Sequence, residues 1–276
     1  MKAPKQSIKH NAGQPDLSGK KVFLFDIEGV IFRGREPFEA IPGAVEFLNF
    51  LKSEGKVVRL IGNATAMNPR IVYENAVRMG AYLDLGDIYL AGAMTGEYLA
   101  KSHRGKRCFV IGSDVFKADL RDAGVKIVGS EGCDLVVVGF EKITFDRLNE
   151  ANRALLGGAD LVAAHNDRLF MTNHGPMMSS GAFVKALEYS SGKKAIACVG
   201  KPSKYFFRKV LGKHKPSEAV MTGDYIDGDI VGANALGMSS MLVLTGVTSR
   251  EEAAKARGER KPSIIVENLG DLIPKR

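Results

Sequence analysis

No stretch of these 276 residues is apolar over the length needed to cross a bilayer, and the N-terminus carries no hydrophobic signal core. Cysteine is scarce. Cys108, Cys133 and Cys198 stand far apart without metal-ligand spacing, so reduced, structural thiols are expected. There is no arginine-rich helix and no interleaving of basic with aromatic residues, which argues against nucleic acid as a partner. Nor does anything repeat at a fixed short period, which excludes a solenoid. The net charge of +8 does not reverse this reading. Part of the excess sits in Lys2, Lys5, Lys9, Lys20 and Lys21, and the rest is scattered among acids on predicted helices, as on a solvated surface. With 45% hydrophobic and 25% charged residues, the composition is that of a globular protein. A cytoplasmic enzyme with a small anionic partner is the expectation, with no membrane and no nucleic acid.

What is present is an alternation of strand and helix signals. Residues 1–19 are basic and punctuated by glycine and proline, and read as a flexible tail. Val22-Phe23-Leu24-Phe25 is a continuous apolar run, as in a parallel strand covered on both faces. An amphipathic helix is expected over Pro42 to Ser53, then a strand at Val57 to Ile61, then a helix capped by Asn68 with Pro69 at its first position. From about Arg107 the pattern restarts as a second α/β unit. Its expected strands are Cys108–Ile111, Leu135–Val138 and Leu161–Ala164, and its expected helices are Val115–Ala123, Phe145–Leu156 and Gly181–Tyr189. A third block resumes the first pattern, with a helix after Lys201-Pro202-Ser203, strands Ala219–Thr222 and Ser240–Leu244, and an edge strand Ile264–Val266. The two outer blocks read as halves of one sheet flanking an inserted domain.

Two of these buried-looking strands end in acids. Asp26 closes the first, and Gly223-Asp224-Tyr225-Ile226-Asp227-Gly228-Asp229 follows the other. Ligands in open α/β sheets sit beyond the carboxyl ends of strands, and a carboxylate there can attack phosphorus to give an aspartyl-phosphate. Two carboxylates side by side repel unless a cation or a shared proton joins them, and hard oxygen ligands of this kind suit Mg²⁺. Lys201 could offset phosphate charge as a point cation. Each signal also has a plainer reading: a strand end, a loop in which Asp229 caps the next helix, and a surface lysine.

Together, Asp26-Ile27-Glu28-Gly29-Val30, Gly62-Asn63-Ala64-Thr65, Gly200-Lys201-Pro202-Ser203 and Gly223-Asp224-x4-Asp229-Ile230 occur in the order and spacing of the haloacid dehalogenase (HAD) superfamily. The chain resembles its class IIA branch from Lys20 to Leu269. That resemblance implies an α/β fold, with a Rossmann-like HAD core of parallel sheet (20–104 and 197–276) and an inserted α/β C2-type cap (105–196). It also implies Mg²⁺-dependent hydrolysis of a small phosphorylated metabolite, a phosphomonoester, with a homodimer through the cap as a possible assembly. Asp26 would be the nucleophile. Asp26, Asp224 and the main-chain carbonyl of Glu28 would bind the metal, Asp229 would order its waters, and Lys201 would screen charge. Two departures stand out. Glu28 replaces the usual aspartate acid/base, and a glutamate can do that work if its carboxyl is correctly placed. Gly62 replaces a Ser or Thr hydroxyl that contacts phosphate. Either the Gly62 and Asn63 main-chain amides suffice, or Thr65 reaches in, or phosphate is held more weakly. In the cap, His165-Asn166-Asp167-Arg168 falls on the family's substrate-facing loop, although a lone histidine at a strand end is more often structural. Met177 and Met178 are expected in the cap core or an interface. The alternative function is a catalytically weakened protein that binds a phosphorylated ligand or a protein partner.

Overall fold

The computed structural model describes residues 17–34, 38–172 and 175–274. The expected tail therefore lies outside the described residues except for 17–19, of which Leu17 is buried. The strands, in chain order, are β1 Val22–Phe25, β2 Phe32–Arg33, β3 Glu39–Ala40, β4 Val57–Gly62, β5 Ile88–Leu90, β6 Arg107–Ile111, β7 Lys126–Ile127, β8 Leu135–Val138, β9 Asp160–Ala163, β10 Leu169–Thr172, β11 Gly175–Met178, β12 Ala195–Cys198, β13 Ala219–Gly223, β14 Ser239–Val243 and β15 Ile264–Val266. The α-helices are α1 Ala44–Ser53, α2 Pro69–Arg78, α3 Ala91–Ser102, α4 Asp114–Asp122, α5 Phe145–Leu156, α6 Ser180–Ser191, α7 Lys204–Leu211, α8 Val231–Asn234 and α9 Arg250–Lys255.

The chain divides into two compact units. The first comprises Met1–Ile61, Tyr73–Ile88 and Phe207–Arg276, and the second Gly62–Val72 and Tyr89–Phe206. In the first, one sheet runs in the order β15-β14-β13-β1-β4-β5. The β15–β14, β14–β13, β13–β1 and β1–β4 pairs are all parallel, with Phe25 beside both Thr222 and Leu60. All four side chains of β1 are fully buried, as an unbroken apolar run with covered faces requires. Because β1 and β13 are neighbours in parallel register, the residues just past their ends come out on the same edge of the sheet. Helix α1 turns Ala44, Val45, Phe47, Leu48 and Leu51 inward, the stripe expected of a helix lying on a sheet.

The second unit holds a parallel sheet in the order β12-β9-β8-β6-β7. On one face Phe109, Ile111, Val136, Val138, Leu161 and Ala163 pack with Leu155 of α5 and Val184 and Leu187 of α6. Helix α4 begins at the cap Ser113, whose hydroxyl accepts the Phe116 N–H, and packs against α3. Asp119 of α4 carries an unmet demand. One of its carboxylate oxygens is buried with no hydrogen-bond partner. Burial, with Asp122 nearby as a lesser cause, pushes its carboxyl up to about 6. A carboxyl whose pKa is raised by folding binds its proton more tightly in the native state. Stability is therefore lost as pH rises from the unfolded value through about 6. The shift would correspond to under about 3 kcal/mol, and solvent screening of a half-buried group reduces this to about 1 kcal/mol. Asp119→Asn is accordingly expected to stabilise the protein by about 1 kcal/mol at pH 8 and by almost nothing near pH 4. Urea midpoints of the two proteins at the two pH values check this.

Candidate active site

Three acids come together in the first unit. Asp26 follows β1, Asp224 follows β13, and Asp229 lies in the π-helical turn Ile226–Ile230 just beyond. One carboxylate oxygen from each lies within 4.8 Å of the others. Asp224 and Asp229 are buried and Asp26 is half-buried. Glu28 is not one of the three converging carboxylates, and its backbone forms a bridge with Phe32.

Main-chain donors hold each acid in its direction. The Ile27 N–H donates to Oδ1 of Asp26 at 2.8 Å, and the Asp26 N–H donates to the Thr222 carbonyl at 2.8 Å, tying this acid to the neighbouring strand. The Tyr225 N–H donates to Oδ2 of Asp229 at 3.1 Å. For Asp224 the donor comes from the loop after β14: the Val247 N–H reaches its Oδ2 at 2.7 Å. The Thr248 N–H donates to the Asp224 carbonyl, and the Thr245 hydroxyl donates to the Gly29 carbonyl at 2.6 Å. This loop escaped sequence reasoning. Its only signal is Thr245-Gly246-Val247-Thr248 at a strand end.

The glycines around Asp224 are there for room. A Cβ on Gly246 would lie 1.8 Å from Oδ2 of Asp224, and one on Gly29 would lie 2.4 Å from the same atom, with φ +80° besides. Three carboxylates at this separation, with hard oxygens and fixed orientations, fit a divalent cation such as Mg²⁺. Gly246→Ala must push the Asp224 carboxylate off its Val247 donor. The expected result is a loss of about 1–3 kcal/mol of stability, with divalent-cation affinity weakened by about tenfold or more. Urea denaturation and a calorimetric Mg²⁺ titration read the two effects separately.

The second unit carries another polar cluster. Lys201 is 3% exposed. Asn63, next to Gly62 at the end of β4, uses its whole side-chain amide: Oδ1 accepts the Lys201 N–H at 2.8 Å, and Nδ2 donates at 3.0 Å to the Lys201 carbonyl and to both oxygens of Asp167. Burial by itself would raise the Asp167 pKa. The His165 ring, the Asn63 amide and the Lys201 ammonium outweigh it and hold that carboxyl below its usual value. Thr65 is 1% exposed, and its hydroxyl accepts the Phe140 N–H at 2.9 Å. His165 is buried, whereas Asn166 and Arg168 are exposed. Met177 and Met178 are exposed on the β10–β11 hairpin instead of lying in a core.

The chain has known counterparts. Residues 23–126 match the profile of the haloacid dehalogenase-like hydrolases, and residues 198–272 match a second, HAD-hydrolase-like profile. The sugar-phosphatase AraL of Bacillus subtilis is 32% identical, over 90% of each chain. The chain belongs to the haloacid dehalogenase-like hydrolases. Within this superfamily it falls in the class IIA branch. A p-nitrophenyl phosphatase from Archaeoglobus fulgidus superposes on this hydrolase with a TM-score of 0.83 at 31% identity, covering 92% of this chain and 98% of that one. A glycerol phosphate phosphatase from Mycobacterium tuberculosis, solved in complex with magnesium, does so with a TM-score of 0.81 at 26% identity, covering 97% and 78%. Among the described residues no helix is long and apolar enough to cross a membrane.

Proposed function

We propose that the protein is a Mg²⁺-dependent phosphatase that hydrolyses a small phosphomonoester through an aspartyl-phosphate on Asp26. The convergence of Asp26, Asp224 and Asp229 at the carboxyl ends of two neighbouring strands carries this reading. Named relatives that act on sugar, glycerol and nitrophenyl phosphates support the substrate class.

Asp26, Asp224 and the Glu28 carbonyl would hold the metal, with Asp229 ordering its waters, and the bound cation would neutralise phosphate charge. Asp26 supplies the electrons of the first step. The Ile27 N–H on Oδ1 fixes the direction of this carboxylate, one of whose oxygens attacks phosphorus. A new O–P bond forms as the bond to the ester oxygen breaks, and Glu28 as carboxylic acid gives its proton to that leaving oxygen. In the second step Glu28 as carboxylate takes a proton from water while the water oxygen attacks the acyl phosphate. Phosphate departs and the Asp26 carboxylate is restored. Lys201 would screen the phosphoryl charge, and the main-chain amides of Gly62 and Asn63 would donate to its oxygens. The Thr65 hydroxyl accepts the Phe140 N–H and keeps its own O–H as a donor for a phosphate oxygen. Catalysis of this kind is mostly positioning plus electrostatic stabilisation of a loose transition state.

Phosphate release over a panel of sugar phosphates, glycerol phosphate and p-nitrophenyl phosphate, with Mg²⁺ and with a chelator, tests the proposal. Release from at least one ester that requires Mg²⁺ is expected. Absence of release from every ester would overturn the enzymatic reading in favour of a binding protein.

A further inference from the structure

The scheme above leaves His165 without a task, although it is 4% exposed and both of its ring nitrogens are engaged. Its Nδ1 lies 3.2 Å from Oδ2 of Asp167, and its Nε2 lies 2.9 Å from the hydroxyl of Ser180. Ser180 opens α6 and is fully buried. The Asp167 N–H also lies 3.4 Å from Nδ1, but the carboxylate oxygen at 3.2 Å is the nearer partner and only accepts, which assigns the ring proton to Nδ1, and Nε2 then accepts from the Ser180 hydroxyl. Asp167 in turn takes both of its Asn63 bonds at 3.0 Å, and the same Asn63 amide closes on the N–H and the carbonyl of Lys201. The Gly181 N–H fixes the Asp167 carbonyl at 3.0 Å. The chain Ser180–His165–Asp167–Asn63–Lys201 is continuous, and all of it belongs to the second unit.

We infer that His165 is a positioning residue for Lys201: held by Ser180, it aims the Asp167 carboxylate, which locks the Asn63 amide onto the Lys201 main chain. A buried histidine that met substrate would keep one nitrogen available, and neither is. An asparagine amide with one remaining partner would be free to flip its oxygen and nitrogen. The two Asp167 oxygens, which only accept, forbid that flip, so the Lys201 N–H always finds Oδ1. The end of strand β9 thereby sets how the lysine is presented. Only the lysine's role as a phosphate screen rests on the phosphatase reading; the clasp itself does not.

The two ring nitrogens can be tested apart. His165→Asn places an amide where Nδ1 stood and keeps a donor for Asp167, whereas His165→Gln reaches the Nε2 position and does not. The first readout needs no substrate: the ¹H–¹⁵N signals of the Asn63 side-chain amide and its hydrogen-exchange rate. Wild type and His165→Asn are expected to share a slowly exchanging amide. His165→Gln and Asp167→Asn are expected to exchange at least about tenfold faster. The second readout is the affinity for inorganic phosphate with Mg²⁺ present, by calorimetry. His165→Gln should weaken it about tenfold in the native background and less than about twofold in Lys201→Ala, because a residue acting through the lysine has nothing left to act on. An unchanged Asn63 amide in His165→Gln would overturn the clasp, whatever the protein hydrolyses. Equal phosphate losses with and without Lys201 would show that His165 acts elsewhere. Failure of every ester to be hydrolysed, with the amide signature intact, would sink the phosphatase reading and leave the clasp standing.

Discussion

Asp26→Asn is expected to bring phosphate release down to background, a loss of at least about 10³-fold or about 4 kcal/mol of transition-state stabilisation. The fold should survive. Asparagine is nearly isosteric, and the bond from the Asp26 N–H to the Thr222 carbonyl belongs to the main chain. What is lost is chemical. An amide oxygen is a poor acceptor for a phosphoryl group, and one of the three converging charges disappears with it. Circular dichroism and the urea midpoint establish that the variant is folded, and a phosphate-release assay reads the loss. Near wild-type turnover in a folded Asp26→Asn protein would mean that the nucleophile lies elsewhere.

The second large effect concerns the glutamate that stands where the family places aspartate. Glu28→Gln is expected to slow turnover by about 10²–10⁴-fold, the usual contribution of a positioned proton donor and acceptor. Glutamine cannot pass a proton to the leaving ester oxygen or take one from water. Glu28→Asp keeps the chemistry and draws the carboxyl back by one methylene, so its deficit should be smaller and geometric. The Glu28 main chain is tied to Phe32 through the turn after β1, so the backbone will not follow a shortened side chain. Steady-state rates of the two variants on one ester decide the matter. A Glu28→Gln enzyme as fast as wild type would remove Glu28 from the mechanism.

Much of this was legible in the chain itself, for physical reasons. An apolar run such as Val22–Phe25 has one reading in an α/β context, and its full burial follows. The positions of Asp26, Asp224 and Asp229 were readable because a glycine-bounded acid at a strand end reports a topological edge, which short-range sequence encodes. Helix α3 was not readable. Its buried face consists of Ala91, Gly92, Met94, Thr95, Gly96 and Leu99, and small residues give almost no hydrophobic periodicity. The hairpin of β10 and β11 was also missed, since apolar residues in a short segment carry no sign of which way they face, and its exposed Met177 and Met178 rule out the core alternative for that pair. His165 shows the same limit from the other side. Its neighbour in the sequence, Asp167, was visible, but Ser180 on α6 and Asn63 after β4 meet it only through the fold. The support of Asp224 by Val247 is another contact between segments distant in the chain, and a glycine required by close approach looks like any other loop glycine.

The account turns on whether a phosphoryl group passes through Asp26. Quenching the enzyme in acid during turnover of a hydrolysed ester, reducing the acyl phosphate with borohydride and sequencing the peptides by mass spectrometry would locate it. Reduction of an aspartyl-phosphate leaves homoserine, and the account predicts homoserine at position 26, dependent on substrate and absent from Asp26→Asn. Homoserine at another aspartate, or none at position 26 while phosphate is released and the acyl phosphate is shown to survive the quench, would contradict it.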